Sequence, residues 1–97
     1  MTLNNPQKKF LRARGHKLNP VVWIGQQGLT DNVLAEIEQA LSHHELVKVK
    51  IRVGDRELRD QIVAQVAERL AAETVQQTGN MAIYWRRNPE QPKITLP

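Results

Sequence analysis

The eight residues LVKVKIRV, Leu46 to Val53, constrain this chain more than any other stretch. Val47, Val49, Ile51 and Val53 point one way from an extended backbone, and Lys48, Lys50 and Arg52 point the other. Three cations cannot leave water unpaired without large cost. A parallel strand covered by helices on both faces would be apolar throughout. The alternation therefore predicts helices over one side of a sheet and an open, positive face on the other.

The flanking residues supply the rest of the architecture. Asn5 is placed to cap a helix with Pro6 at its first position, running to about Arg14 and stopped by Gly15. Val21 to Ile24, after Pro20, reads as a short strand buried on both faces. Thr30 caps a second helix, with Leu29 and Leu34 as a hydrophobic staple and Asp31 in the first turn. Val33, Leu34, Ile37 and Leu41 share one face of it, away from Glu36 and Glu38. Gly54 ends the strand after it, and Asp55 caps a third helix. Leu58, Ile62, Val66 and Leu70 recur there every four residues with Val63 beside them. TVQQT (Thr74 to Thr78), Gly79-Asn80 and MAIYW (Met81 to Trp85) read as a hairpin with a two-residue turn. Residues 88–97, with Pro89, Pro92 and Pro97, read as a loop-like tail. The order α-β-α-β-α-β-β defines an α/β protein built on βαβ units, and 97 residues form one domain.

With 40% apolar and 25% charged residues, the composition is that of a folded globular chain. The longest apolar run, MAIYW, is far too short to cross a bilayer. MTLNNPQKKF has no apolar stretch behind its charges and is not expected to be a leader. The absence of cysteine excludes disulfides and thiolate metal sites and fits a cytoplasmic address. The charge is segregated. Residues 1–28 carry Lys8, Lys9, Arg12, Arg14 and Lys17 and no acid, whereas residues 29–47 carry Asp31, Glu36, Glu38 and Glu45 and no lysine or arginine. Residues 48–59 are basic again, and Arg86 and Arg87 follow the last strand. A net charge of +4 laid out in blocks favours one positive face and a polyanionic partner.

Between strand and helix lies Gly25-Gln26-Gln27-Gly28. It lacks the spacing of a Walker loop or a dinucleotide fingerprint, so no nucleotide cofactor is expected. Two readings stay open: glycines supplying positive φ in a turn, or bare backbone at a helix start that lets a phosphodiester approach, as in the RNA-binding KH module. Trp23 falls in a strand expected to be buried, so its expected place is the core; Trp85 is open between core and base stacking. His16 is placed either to touch phosphate or as a loop residue. His43-His44 diverge at a helix end with no third ligand, so no metal is expected. The only serine, Ser42, does not face His43, Glu36 and Glu38 diverge, and no thiol exists. No enzyme activity is expected.

GHKLNPVVWIGQQGLTDNVLAEIEQAL (Gly15 to Leu41) followed by HHELVKVKI (His43 to Ile51) resembles the bacterial YhbY-like group of CRM domains, named for chloroplast RNA splicing and ribosome maturation. The resemblance extends over almost the whole chain, to the closing KITLP. It implies a two-layer fold similar to the C-terminal domain of translation initiation factor 3, with an N-terminal helix and a mixed sheet of order 1-2-4-3 whose last strand is antiparallel. It further implies RNA binding. Stand-alone bacterial members are associated with large-subunit ribosome precursors, and plant members with group II intron splicing. The family's GxxG motif falls on Gly25 to Gly28; many plant members have basic residues where this chain has Gln26 and Gln27. The expectation is a monomeric ribosome-assembly protein that binds ribosomal RNA through Gly25, Gln26, Gln27 and Gly28, with Lys48, Lys50 and Arg52 on the sheet. Lys8, Lys9, Arg12, Arg14 and Lys17 would extend that surface, and Arg86 and Arg87 would form its edge. The rival expectation is a protein-interaction module whose acidic 31–45 helix docks a basic ribosomal protein or assembly factor.

Overall fold

The computed structural model describes residues 3–97. Seven elements follow in order: α1 (Asn5–His16), β1 (Val22–Ile24), α2 (Asp31–His44), β2 (Leu46–Ile51), α3 (Arg56–Arg69), β3 (Glu73–Thr78) and β4 (Met81–Trp85). The strands form one mixed sheet of order β1-β2-β4-β3. β1 and β2 are parallel with Trp23 beside Lys50, and β4 runs antiparallel to both its neighbours. Gly79-Asn80 closes the β3–β4 hairpin, with Gly79 at positive φ, and the pairing slips at Val75.

Local chemistry sets the boundaries. Thr30 and Asp55 cap α2 and α3 as their sequence positions predict, accepting from the Val33 amide and from the Glu57 and Leu58 amides. The cap of α1 sits one residue earlier than expected. Asn4, not Asn5, takes the Gln7 amide, and the Gln7 side chain returns the bond to the Asn4 amide at 3.1 Å, a reciprocal box worth more than a lone cap. Val21 is exposed and outside the strand. On α3, Ile62, Val63 and Val66 are buried while Leu58 is exposed. A four-residue repeat drifts about 40° per step on a helix of 3.6 residues per turn, so Leu58 has rotated off the face centred on Val66.

Two apolar clusters sandwich the sheet. In the larger, Ile37 and Leu41 of α2 and Ile62, Val63 and Val66 of α3 cover Val22, Ile24, Val47, Val49, Ile51, Ala82 and Tyr84. The buried Tyr84 hydroxyl donates to the Val63 carbonyl at 2.9 Å, and burial pushes its phenol well up. The opposite face is not wholly open, contrary to expectation. α1 lies across part of it, and Leu3 and Leu11 join Leu46, Val75, Ile83, Trp85 and Ile94 in a second cluster. Gly15 explains how α1 gets so close. It lies inside the helix rather than ending it, and a Cβ there would stand 2.6 Å from Ile83 Cδ1.

Glu45 joins these parts. It caps α2 at a φ of 63°, and its carboxylate is fully buried. That carboxylate accepts from the amides of Asn88 (2.6 Å), Lys93 (2.7 Å) and Ile94 (2.9 Å), and its carbonyl accepts from Arg86. The 88–97 segment has no helix or strand, yet it is pinned: Ile94 is buried and Leu96 packs beside it. Burial pushes the Glu45 carboxyl up, but the three amides and the charge of Arg87 outweigh it and hold it below its ordinary value of 4.5. A carboxyl lowered in the folded state stabilises it above the unfolded value and loses that contribution as pH falls through the folded one.

Two predictions follow from this packing. Glu45→Gln should cost about 2–4 kcal/mol near neutral pH, and its gap from wild type in urea denaturation should narrow below pH 4.5; a pH-independent gap would mean that charge is not what holds the tail. Gly15→Ala gains helix propensity of about 1 kcal/mol but overpacks against Ile83 by about 1–3 kcal/mol, so its melting temperature should drop, and a rise would show that Ile83 yields freely.

Candidate nucleic-acid interface

α1 packs on the sheet face that carries Leu46, and by strand alternation Lys48, Lys50 and Arg52 share that face. The first and second basic blocks therefore meet on one side of the molecule. Lys48 Nζ donates to the carbonyl of His16 at 3.4 Å, a cation at the end of α1 where the helix dipole favours one. Lys8 and Arg12 are half-buried, Lys9, Arg14 and Lys17 are exposed, and Arg14 lies 5.7 Å from the Phe10 ring.

Beyond the reach of α1 the face is bare, and Trp23 stands there. It is 56% exposed, with Lys50 Nζ 5.6 Å and Arg52 Cζ 5.5 Å from its ring. The sequence expectation placed this tryptophan in the core. Two facts overturn that: β1 is an edge strand of the sheet, and only its Val22 and Ile24 side is covered. Hydropathy cannot separate these orientations. The cationic stripe of β2 held the missed signal, since an in-register neighbour shares the open face. Trp85 resolves the other way, 2% exposed in the second cluster with Arg87 Cζ 5.5 Å above it.

Gly25 to Gly28 is a turn closed by the Gly28 amide on the Gly25 carbonyl at 2.9 Å. Gly28 has a φ of +76°, a left-handed conformation that favours glycine. Gly25 is different. It is not at positive φ, and among the described residues nothing beyond its chain neighbours lies within 4 Å of where its Cβ would be. Turn geometry thus accounts for one glycine and leaves the other unexplained by the fold. Together with Trp23, Thr30 and Val33 the turn lines a shallow depression. Asp31 is exposed in the first turn of α2 and opposes an anion at the helix start itself, leaving the turn and the cations of β2 as the better phosphate partners. At the other end of β1, Arg14, Lys17, Lys48 and Lys93 border a groove of about 730 Å³ with His43 and His44 on its wall.

Arg86 is separated from this face. It pairs with Glu38 and donates to the Leu70 carbonyl at 2.9 Å and Ser42 Oγ at 3.1 Å, tying β4 to α2 and α3 on the opposite side. The acidic helix is also altered: Glu45 is buried against the tail and the half-exposed Glu38 is engaged by Arg86, while Asp31 and Glu36 are exposed. Among the described residues no group of three or more His, Asp or Glu is placed to hold a metal ion, and no helix is long and apolar enough to cross a membrane.

The sheet order and the glycine turn beside a cationic strand agree with the family that sequence comparison finds. Residues 3–86 match the CRS1/YhbY (CRM) domain model, and the chain belongs to that family. It is 47% identical over 96 residues to a Haemophilus influenzae protein named "RNA-binding protein", covering 99% of this chain and 96% of that one. A Pseudomonas aeruginosa relative named "Probable RNA-binding protein" is 40% identical over 93 residues, covering 96% and 89%. The solution structure of a hypothetical protein from Staphylococcus aureus superposes with a TM-score of 0.84 at 29% identity, over 99% of this chain and 100% of that one.

The two faces separate fold from surface. Arg86→Ala should lower stability by about 1–2 kcal/mol, through its hydrogen bonds more than its half-exposed ion pair, while Arg52→Ala should stay within about 0.5 kcal/mol of wild type. Denaturant titration checks both; equal losses would contradict the division.

Proposed function

We propose that this chain is a non-catalytic RNA-binding protein of large-subunit ribosome assembly, acting in the cytoplasm as a monomer on ribosomal RNA of precursor particles. Family membership and the names of its relatives support RNA as the ligand. The observation that carries the reading is Gly25: a bare, sterically unconstrained backbone position two residues beyond Trp23, whose ring Lys50 and Arg52 approach, on the side to which α1 brings its bases. Phosphate is held by amides of the Gly25–Gly28 turn, with Gln26 and Gln27 adding neutral donors, and by the lysines and arginines around it. The association with large-subunit precursors is what the family resemblance implies.

If about five phosphates of single-stranded RNA are contacted, log affinity falls with log salt at a slope of about −3.5. That is roughly a hundredfold loss between about 50 and 200 mM salt. Lys50→Ala and Arg52→Ala should each flatten the slope by about 0.7. Gly25→Asp should weaken binding tenfold or more, by roughly 1.4 kcal/mol, with an unchanged melting temperature, because its Cβ meets nothing. A flat salt response would exclude the electrostatic mechanism, and normal binding by Gly25→Asp would reduce the loop to a turn. Sedimentation of cell extracts tests the finer reading: the protein should travel with large-subunit precursors, and its absence from them would remove the assembly role.

A further inference from the structure

Trp23 is the one tryptophan the fold does not use. It belongs to neither apolar cluster and is 56% exposed, whereas Trp85 is 2% exposed. An indole carries a large apolar surface that folding normally buries. Val21, two residues earlier and just before β1, is also exposed, at 52%. The two cations at the ring are Lys50 of β2 and Arg52 just past its end, and among the described residues β1 has no strand on its other side. The ring also borders the depression at Gly25 to Gly28, so an aromatic surface, two cations and a bare backbone turn are contiguous.

We propose that Trp23 is a stacking platform for an unpaired RNA base, with Lys50 and Arg52 holding the phosphates that flank it. The inference rests on the RNA-binding reading above and specifies which nucleotides that face takes. Bases inside a duplex are already stacked and offer no π-face, while loop, bulge and single-stranded bases can lie on an aromatic ring. Gly25 is two residues beyond Trp23, about 7 Å along the extended chain. One nucleotide can thus place its base on the indole and a phosphate at the turn. The platform makes the face selective for unpaired over paired RNA, which charge alone does not do.

The test uses the full chain, an RNA hairpin with an unpaired loop, and a blunt duplex of the same stem sequence, with labelled RNA reporting affinity. Hairpin should quench the tryptophan emission of the wild type, and Trp23→Leu should abolish that quenching. Trp23→Leu should bind hairpin about 5- to 150-fold more weakly, the equivalent of ~1–3 kcal/mol for one stacked base, and duplex within about twofold. Trp23→Phe should recover much of the hairpin affinity. Circular dichroism melts verify folding, which an exposed side chain should not disturb. Equal losses on hairpin and duplex, quenching that persists in Trp23→Leu, or undiminished hairpin binding by that variant would each overturn the platform while leaving RNA binding intact. If the wild type binds neither RNA, the RNA-binding reading itself fails and the inference falls with it.

Discussion

The cost of burying cations governs this molecule. β2 lies inside the sheet, so both its faces meet whatever packs above and below. Its apolar side can be covered completely, and α2 and α3 do so. Its other side begins with Leu46 and continues with Lys48, Lys50 and Arg52, so a covering element is favoured only at the leucine end. α1 takes that position, with the bare Gly15 against Ile83 and its last carbonyls near Lys48. The uncovered remainder, toward β1 and the glycine turn, follows from where the charges start.

Much of the fold was legible because its signals are local or periodic. The caps at Thr30 and Asp55, the alternation in β2 and the two-residue hairpin turn act over a few residues, and the structure has them in place. What the sequence left hidden depends on distant neighbours. Gly15 reads locally as a helix stop, but its role is set by Ile83, far along the chain. In the sequence Glu45 reads as one of the acids of the 31–45 helix, yet its partners are backbone amides of a segment that reads as loop. Trp23, expected in the core, lies outside it, and Trp85, open between core and stacking, lies inside, for a related reason. An apolar strand does not say whether it lies at a sheet's edge, and strand order decides which tryptophan is covered.

The same geometry sorts the basic residues into two kinds. Alternation along β4 and its continuation sends Arg86 toward α2 and α3, where it is consumed by internal contacts, and Arg87 toward the face of α1, where it lies over Trp85. Adjacent residues of identical charge thus have unrelated work. Net charge counts both alike; a positive surface is made only of those whose side chains end in water. Within the acidic stretch, the buried Glu45 and the engaged Glu38 likewise contribute less outward negative charge than their number suggests.

The split into two clusters has a dynamic consequence. No residue of α1 belongs to the larger cluster, and the partners of α1 come from the Leu46 and Lys48 side of β2, the hairpin and the tail, with Gln7 reaching Pro97 across 90 positions. Contacts of such separation carry a high closure entropy, so α1 is the element whose detachment sacrifices least of the remaining structure. Its release would bare Leu46, Ile83 and Trp85, turning the half-covered face into a wide apolar and cationic one. Amide exchange reads the difference: the α1 backbone should open at lower free energy than β2, and equal protection would mean that both clusters melt as one unit.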